Sequence, residues 1–222
     1  MRFFSITFAL LLLSSQNIIA QRGIHSYLPK DTIKNKNYIF YLAPRVIEKY
    51  NESEGIYKDR HGTFEYDAIL TALGNKGFNI VISGARPKLI DPIIYSEIIV
   101  KQIDTLLKRG IGASKITVIG ADKGALIAMF VSSKIKHKFI KYILLSACDN
   151  EIHKDPMIAL YGQLLSIYDI SDPYCSSCWT LFQSSGKNIL FKEYQINTGN
   201  AHAYTYSPLK EWIELAIHWI NS

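Results

Sequence analysis

Six short apolar runs separated by helical patterns limit this chain to a narrow set of folds. The runs are NYIFYLA (Asn37 to Ala43), FNIVIS (Phe78 to Ser83), KITVIG (Lys115 to Gly120), IKYILLSA (Ile140 to Ala147), LLSIYD (Leu164 to Asp169) and NILFKEYQI (Asn188 to Ile196). Their length and their aromatic and β-branched residues read as buried strands. Between the first two, EYDAILTALGNKG places Tyr66, Ile69, Leu70 and Leu73 at helical spacing, and Gly74 and Gly77 close the segment. IIYSEIIVKQIDTLLKRG (Ile93 to Gly110) is a long amphipathic helix whose Lys-Arg-Gly end suits a C-terminus. In the last segment, Pro208 stands at a helix start, and Trp212, Leu215, Ala216 and Trp219 share one face. The alternation predicts an α/β fold, with a mostly parallel central sheet of about six strands and helices on both faces. In such sheets ligands bind beyond the carboxyl ends of the strands. The residues to inspect are therefore Ala43-Pro44-Arg45, Gly84-Ala85-Arg86, Ala121-Asp122-Lys123, Cys148-Asp149, the Asp169 to Asp172 loop, and Gly199 to His202.

The 222 residues suit one sizeable domain, and 48% apolar residues suit a globular one. The net charge of +6 is scattered. The most basic segment, SSKIKHKFIK (Ser132 to Lys141), reads as a solvated helix end, so no nucleic-acid partner is expected. Met1-Arg2, the apolar run Phe3 to Leu13 and the small residue Ala20 read as a signal peptide over residues 1–20. A single domain over 21–222 would then be exported, periplasmic or secreted. The run is too short for a comfortable membrane span, so no membrane association is expected after cleavage. In an oxidising compartment, two of the three cysteines, Cys148, Cys175 and Cys178, can pair. Cys175-Ser-Ser-Cys178 has redox spacing but lies far from an early strand. A structural bridge such as Cys148–Cys178 is expected instead.

Gly120-Ala121-Asp122-Lys123-Gly124 sits between an apolar strand and a helix. A strained strand-to-helix turn of this kind aims its central side chain, and the N–H after it, at one point above the sheet, and only small neighbours avoid a clash. Asp172 follows the fifth run in YDISDP, with Asp169 a close competitor, and His202 follows the sixth in TGNAHAY. The order of turn, acid and histidine is that of the α/β-hydrolase triad. On these segments the chain resembles, from about Asn37 to its end, a small exported α/β hydrolase lacking the first two strands and any large lid. The resemblance implies that His202 is the general base and Asp172 its orienting acid. It also implies that the backbone N–H groups of Lys123 and Arg45 are oxyanion donors.

Two departures stand out. Ala43-Pro44 replaces the His-Gly of the family, and Asp122 replaces its nucleophilic serine. Asp122 admits three readings. It can be a carboxylate nucleophile, as in the dehalogenase and epoxide-hydrolase branches, with Tyr204, Tyr206 or Trp179 considered as donors to the leaving group. It can cap its helix. It can hold a cation or basic ligand without chemistry. The expected function is an exported hydrolase with an atypical Asp122–Asp172–His202 triad, acting on small esters or related substrates. The alternative is an inactive binding or interaction protein on the same fold. Arg86 can bind an anionic substrate or pair with Glu48 or Asp91. His61, His153 and Asp155 lack metal-ligand spacing, and no phosphate loop or dinucleotide fingerprint occurs, so neither metal nor cofactor is expected.

Overall fold

The computed structural model of the chain describes residues 23–53, 55–82 and 90–222. The expected signal peptide and Arg86 lie outside them. Seven strands form one sheet. They are β1 (Ile24–His25), β2 (Tyr38–Leu42), β5 (Asn79–Val81), β6 (Ile116–Ala121), β7 (Lys141–Leu145), β8 (Gly162–Asp169) and β9 (Ile189–Ile196), in the order β1-β5-β2-β6-β7-β8-β9. Every neighbouring pair is parallel. The sequence count of six missed β1, because two residues are too short to show a period. A separate hairpin, β3 (Lys58–Asp59) with β4 (Gly62–Thr63), was also not legible.

Alternation along the strands explains the layering. In β2, Tyr38, Phe40 and Leu42 enter one core while Ile39 and Tyr41 enter the other. In β7, Tyr142 and Leu144 divide from Ile143 and Leu145 in the same way. Both faces are apolar because both are covered. Helices α3 (Pro92–Lys108), α4 (Lys123–Ile135) and α5 (Trp179–Ser185) pack on the first face. Helices α1 (Ile47–Glu52), α2 (Tyr66–Gly74) and α6 (Lys210–Asn221) pack on the second. Asp91 caps α3, accepting from the N–H groups of Ile93 and Ile94, and Pro92 occupies the first turn where its missing N–H costs nothing. Among the described residues, no helix is long and apolar enough to cross a membrane.

The central strands lie very close to α4. A Cβ on Gly124 would sit 2.0 Å from the Leu42 carbonyl oxygen, and one on Gly120 would sit 2.3 Å from the Gly124 oxygen. Both obstacles are backbone, so neither can rotate away. Gly124→Ala should therefore cost on the order of 2–3 kcal/mol, or more, through overpacking. Gly112→Ala, which would meet only Ser114 Oγ at 4.0 Å, should cost far less. Urea unfolding of the two variants, read as a shift in midpoint, checks the contrast.

Candidate active site

Strand β2 has β5 on one side and β6 on the other. The chain leaves β2 toward β5 and leaves β6 toward β7, so the carboxyl ends of β2 and β6 form the topological switch point of the sheet. Arg45 follows the first of these strands and Asp122 the second. Asp122 has φ 50° and ψ −119°, a conformation that costs a non-glycine residue on the order of 1–3 kcal/mol. Its backbone is held from both directions. The N–H donates to the Leu145 carbonyl at 3.0 Å, and the carbonyl accepts from Ala125 and Leu126 of α4.

This turn overturns the capping reading. The Asp122 side chain makes no capping bond to its own helix. The positive φ swings the carboxylate off the helix axis, and its Oδ2 instead accepts the Arg45 N–H at 2.9 Å. Pro44 has not turned that donor away, but the donor's resting partner is the protein's own carboxylate. Lys123 opens α4, where first-turn N–H groups have no partner within the helix. Its side chain turns aside to pair with Glu48, Nζ to Oε1 2.8 Å, with both groups about nine-tenths buried.

The structure brings Asp172 and His202 together. Asp172 Oδ2 lies 2.9 Å from His202 Nδ1, and the carboxylate is fully buried. A carboxylate only accepts, so Nδ1 carries the proton and Nε2 is left as the basic nitrogen of the neutral ring. Ser146 Oγ donates to the same Oδ2, and the Tyr174 N–H donates to Oδ1. Asp169 is engaged elsewhere, accepting from the N–H and hydroxyl groups of both Ser171 and Thr198. Burial pushes the Asp172 carboxyl upward, but the bonds from His202, Tyr174 and Ser146 bring it below its usual range. Burial alone would lower His202. The Asp172 hydrogen bond and the charges of Asp172, Asp122 and Asp59 raise it above its ordinary value. The Tyr174 ring meets the imidazole edge-on, with centroids 5.7 Å apart.

Asp122 and His202 border one open cavity of about 780 Å³, together with Arg45, Tyr174, Cys175 and Tyr206. A second cavity of about 580 Å³ shares Arg45, Asp122 and Cys175 with it. The β3–β4 hairpin forms one wall. It is tied down by Tyr206 OH donating to Asp59 and by Arg60 donating to the Tyr174 hydroxyl. Of the tyrosines and tryptophan considered from sequence, only Tyr206 faces this space. Tyr204 is fully buried and bonds Ser146 and Ile167, while Trp179 is exposed against Phe191 of β9. Ser146, Tyr174 and Cys175 were not found from sequence. The fourth apolar run was read through Ser146, no pattern marked Tyr174, and the Cys175-Ser-Ser-Cys178 spacing pointed to a redox pair and not to this site. Cys148 and Cys178 form a disulfide, which leaves Cys175 free. Burial and the charges of Asp172, Asp122 and Asp149 push the Cys175 thiol up to about 12.

No known family profile and no curated protein matches this chain. Solved structures match its fold. The α/β hydrolase enzyme MGS-M1, from a Medee basin deep-sea metagenome library, superposes with a TM-score of 0.54 at 13% identity, over 92% of this chain and 86% of its own. An esterase from Pyrococcus furiosus gives 0.54 at 13% identity, over 85% and 84%. An α/β serine hydrolase without a lid from Xanthomonas campestris gives 0.51 at 9% identity, over 88% and 86%. The fold is the α/β-hydrolase fold.

The electrostatics of the site predict a titration. By NMR, His202 should titrate above 6.5, and Asp122→Asn should lower its midpoint by removing one of the raising charges. Because the folded value is raised, the stability His202 contributes is fully present below the unfolded value of about 6.5 and lost as pH rises through the folded one. The stability difference between wild type and His202→Ala should shrink over that window. A midpoint unmoved in Asp122→Asn would contradict the coupling.

Proposed function

We propose that this chain is a hydrolase in which Asp122 attacks a saturated electrophilic carbon and His202 then drives water onto the resulting ester. The observation that carries the reading is the Arg45 N–H bond to Asp122 Oδ2, made by a carboxylate held off its helix at the switch point. One oxygen is anchored and the other is left for substrate. In the first step Oδ1 bonds the carbon, and the leaving group departs with the bonding pair as halide, or as an epoxide alkoxide that takes a proton from the open cavity. In the second step, His202 Nε2 takes a proton from water as hydroxide adds to the Asp122 carboxyl carbon. The negative charge develops on Oδ2, where the Arg45 N–H already sits, and the Lys123 N–H is placed by sequence to help. Collapse breaks the bond to Oδ1. The departing alkoxide takes the proton back from His202, giving the alcohol, and the carboxylic acid left at Asp122 loses the hydroxide's proton to solvent to restore the carboxylate. Asp172 keeps the imidazole in the required tautomer.

Acyl substrates fit less well. A carboxylate adding to an ester carbonyl forms an intermediate that expels the carboxylate more readily than the alkoxide. Its oxyanion would also have to displace Oδ2 from Arg45. Alkyl halides and epoxides therefore come before esters as substrates.

We also propose that the chain is exported, on the charged start and short apolar run of residues 1–20 and on the Cys148–Cys178 bridge, which suits an oxidising compartment. A mature N-terminus near Gln21, read by mass spectrometry, checks this.

Wild-type protein should turn over members of a haloalkane and epoxide panel, and Asp122→Asn should abolish that turnover. His202→Ala should slow turnover by about 10²–10⁴-fold, the usual range for a lost general base. It should also accumulate an ester on Asp122, seen as a peptide mass increase equal to the alkyl group. In the active enzyme the rate of ester breakdown, measured as kcat or by single turnover, should rise with pH through the raised His202 value, since the base must be neutral. Absence of both turnover and an adduct on Asp122 would overturn the reading.

A further inference from the structure

We propose that Asp172, Cys175 and His202 form a binding site for one zinc-class divalent ion, opening onto the substrate cavity. The three residues offer a carboxylate oxygen, a sulfur and an imidazole nitrogen that all lie within 4.8 Å of one another. Oxygen, nitrogen and sulfur donors together select a borderline ion such as Zn²⁺ over Mg²⁺ or Ca²⁺, which take oxygen ligands. Three protein ligands leave a fourth, tetrahedral position for water. That position has somewhere to open, because Cys175 borders both cavities, and the same cavities give the ion its entry path.

The surroundings suit a dication. Asp122 and Asp149 border the same cavities, so their charges add to that of Asp172 near the ion. The first ligand is already supported from behind, since Ser146 Oγ donates to Asp172 Oδ2 and the Tyr174 N–H to Oδ1. The ligands are also held in place. The Cys148–Cys178 bridge follows Cys175 by three residues, and Ser176 N donates to the Cys148 carbonyl at 2.7 Å. His202 Nδ1 is the nitrogen that faces Asp172, so the ion takes the place of the proton in the Asp172–His202 bond. Binding releases the thiol proton to solvent, while the imidazole stays neutral by carrying its proton on Nε2 instead of Nδ1. A zinc-loaded chain therefore loses the contact that orients His202, and zinc shuts off any chemistry that needs this base.

The site is independent of whether Asp122 is a nucleophile, and its test does not read turnover. The full-length chain with the Cys148–Cys178 bridge intact is titrated with Co²⁺ and, by calorimetry, with Zn²⁺. One ion per chain is expected, with a thiolate-to-cobalt charge-transfer absorption. Cys175→Ser should abolish that absorption and weaken Zn²⁺ binding by more than about 100-fold, beyond the usual cost of losing a second-shell partner. Ser146→Ala should weaken binding by about 10-fold through Asp172. His153→Ala, outside the cluster, should leave it unchanged. In wild-type protein, Zn²⁺ should protect Cys175 from alkylation, a measurement that needs no variant to fold. No uptake, uptake as tight in Cys175→Ser as in wild type, or a Cys175 alkylated equally fast with and without Zn²⁺ would each overturn the site. None of those results bears on the Asp122 ester, so the two proposals fail separately.

Discussion

Everything at the functional end of this molecule depends on how closely α4 approaches β2. The Leu42 carbonyl lies where a Cβ of Gly124 would be, and the Gly124 carbonyl lies where one of Gly120 would be. That approach lets the chain turn from β6 into α4 within one residue. The turn forces Asp122 to positive φ, and the positive φ carries its carboxylate away from the helix and across to Arg45. Two strands apart in hydrogen-bonding order would put these groups out of reach. Adjacent strands, registered Leu42 to Gly120, put the residue after one beside the residue after the other. The strain at Asp122 is thus maintained by packing that the glycines permit, and it falls at the residue whose carboxylate borders the cavity.

Donor supply separates the three carboxylates at the strand ends. Asp169 accepts four hydrogen bonds and Asp172 three, while Asp122 accepts only the one from Arg45. A carboxylate has about four acceptor sites, so Asp169 is saturated and can only hold its loop to the segment that leads into His202. Asp172 spends one of its bonds on the imidazole and uses the others to stay ionised while buried. Of these three, among the described residues, only Asp122 keeps an oxygen uncommitted beside the cavity. The same residue type is thus saturated at one strand end, paired with an imidazole at another and left partly open at the third, and the number of donors aimed at it decides which.

This division also explains what could be read from the sequence. The strands and long helices were legible because burial on both faces writes a continuous apolar run, and a half-buried helix writes a 3.6-residue period. The glycines flanking Asp122 were legible because the turn needs them. The choice between Asp169 and Asp172 was not, since it rests on Ser171 and Thr198 saturating one of them, and nothing about a serine two residues on distinguishes a donor from a spectator. Nor was the rejection of capping, since aspartate before a helix is an ordinary cap and only the backbone angle shows otherwise. Ser146 joins the site through a contact across 26 positions, and Tyr174 and Cys175 join it through a loop without periodicity, so no local pattern places them there.

The loop that carries Asp172 and Cys175 shows how the site is kept in order. Its start is fixed by Asp169, whose bonds reach Ser171 within the loop and Thr198 beyond β9. Its end is fixed by the Cys148–Cys178 bridge and by Glu193 of β9, which accepts from Ser177 Oγ and, at 2.7 Å, from the Cys178 N–H. Between these anchors the Tyr174 N–H turns back onto Asp172, and the Tyr174 ring supports His202. A loop held only at its base would lose the acid's position with each excursion, and the imidazole's orientation with it. Held at both ends, it places a buried carboxylate, a thiol and an imidazole together before any ligand arrives. That preorganisation serves a general base and a metal equally well, so occupancy of the space between Asp172 and His202, by a proton or by a metal ion, decides what the cavity can do.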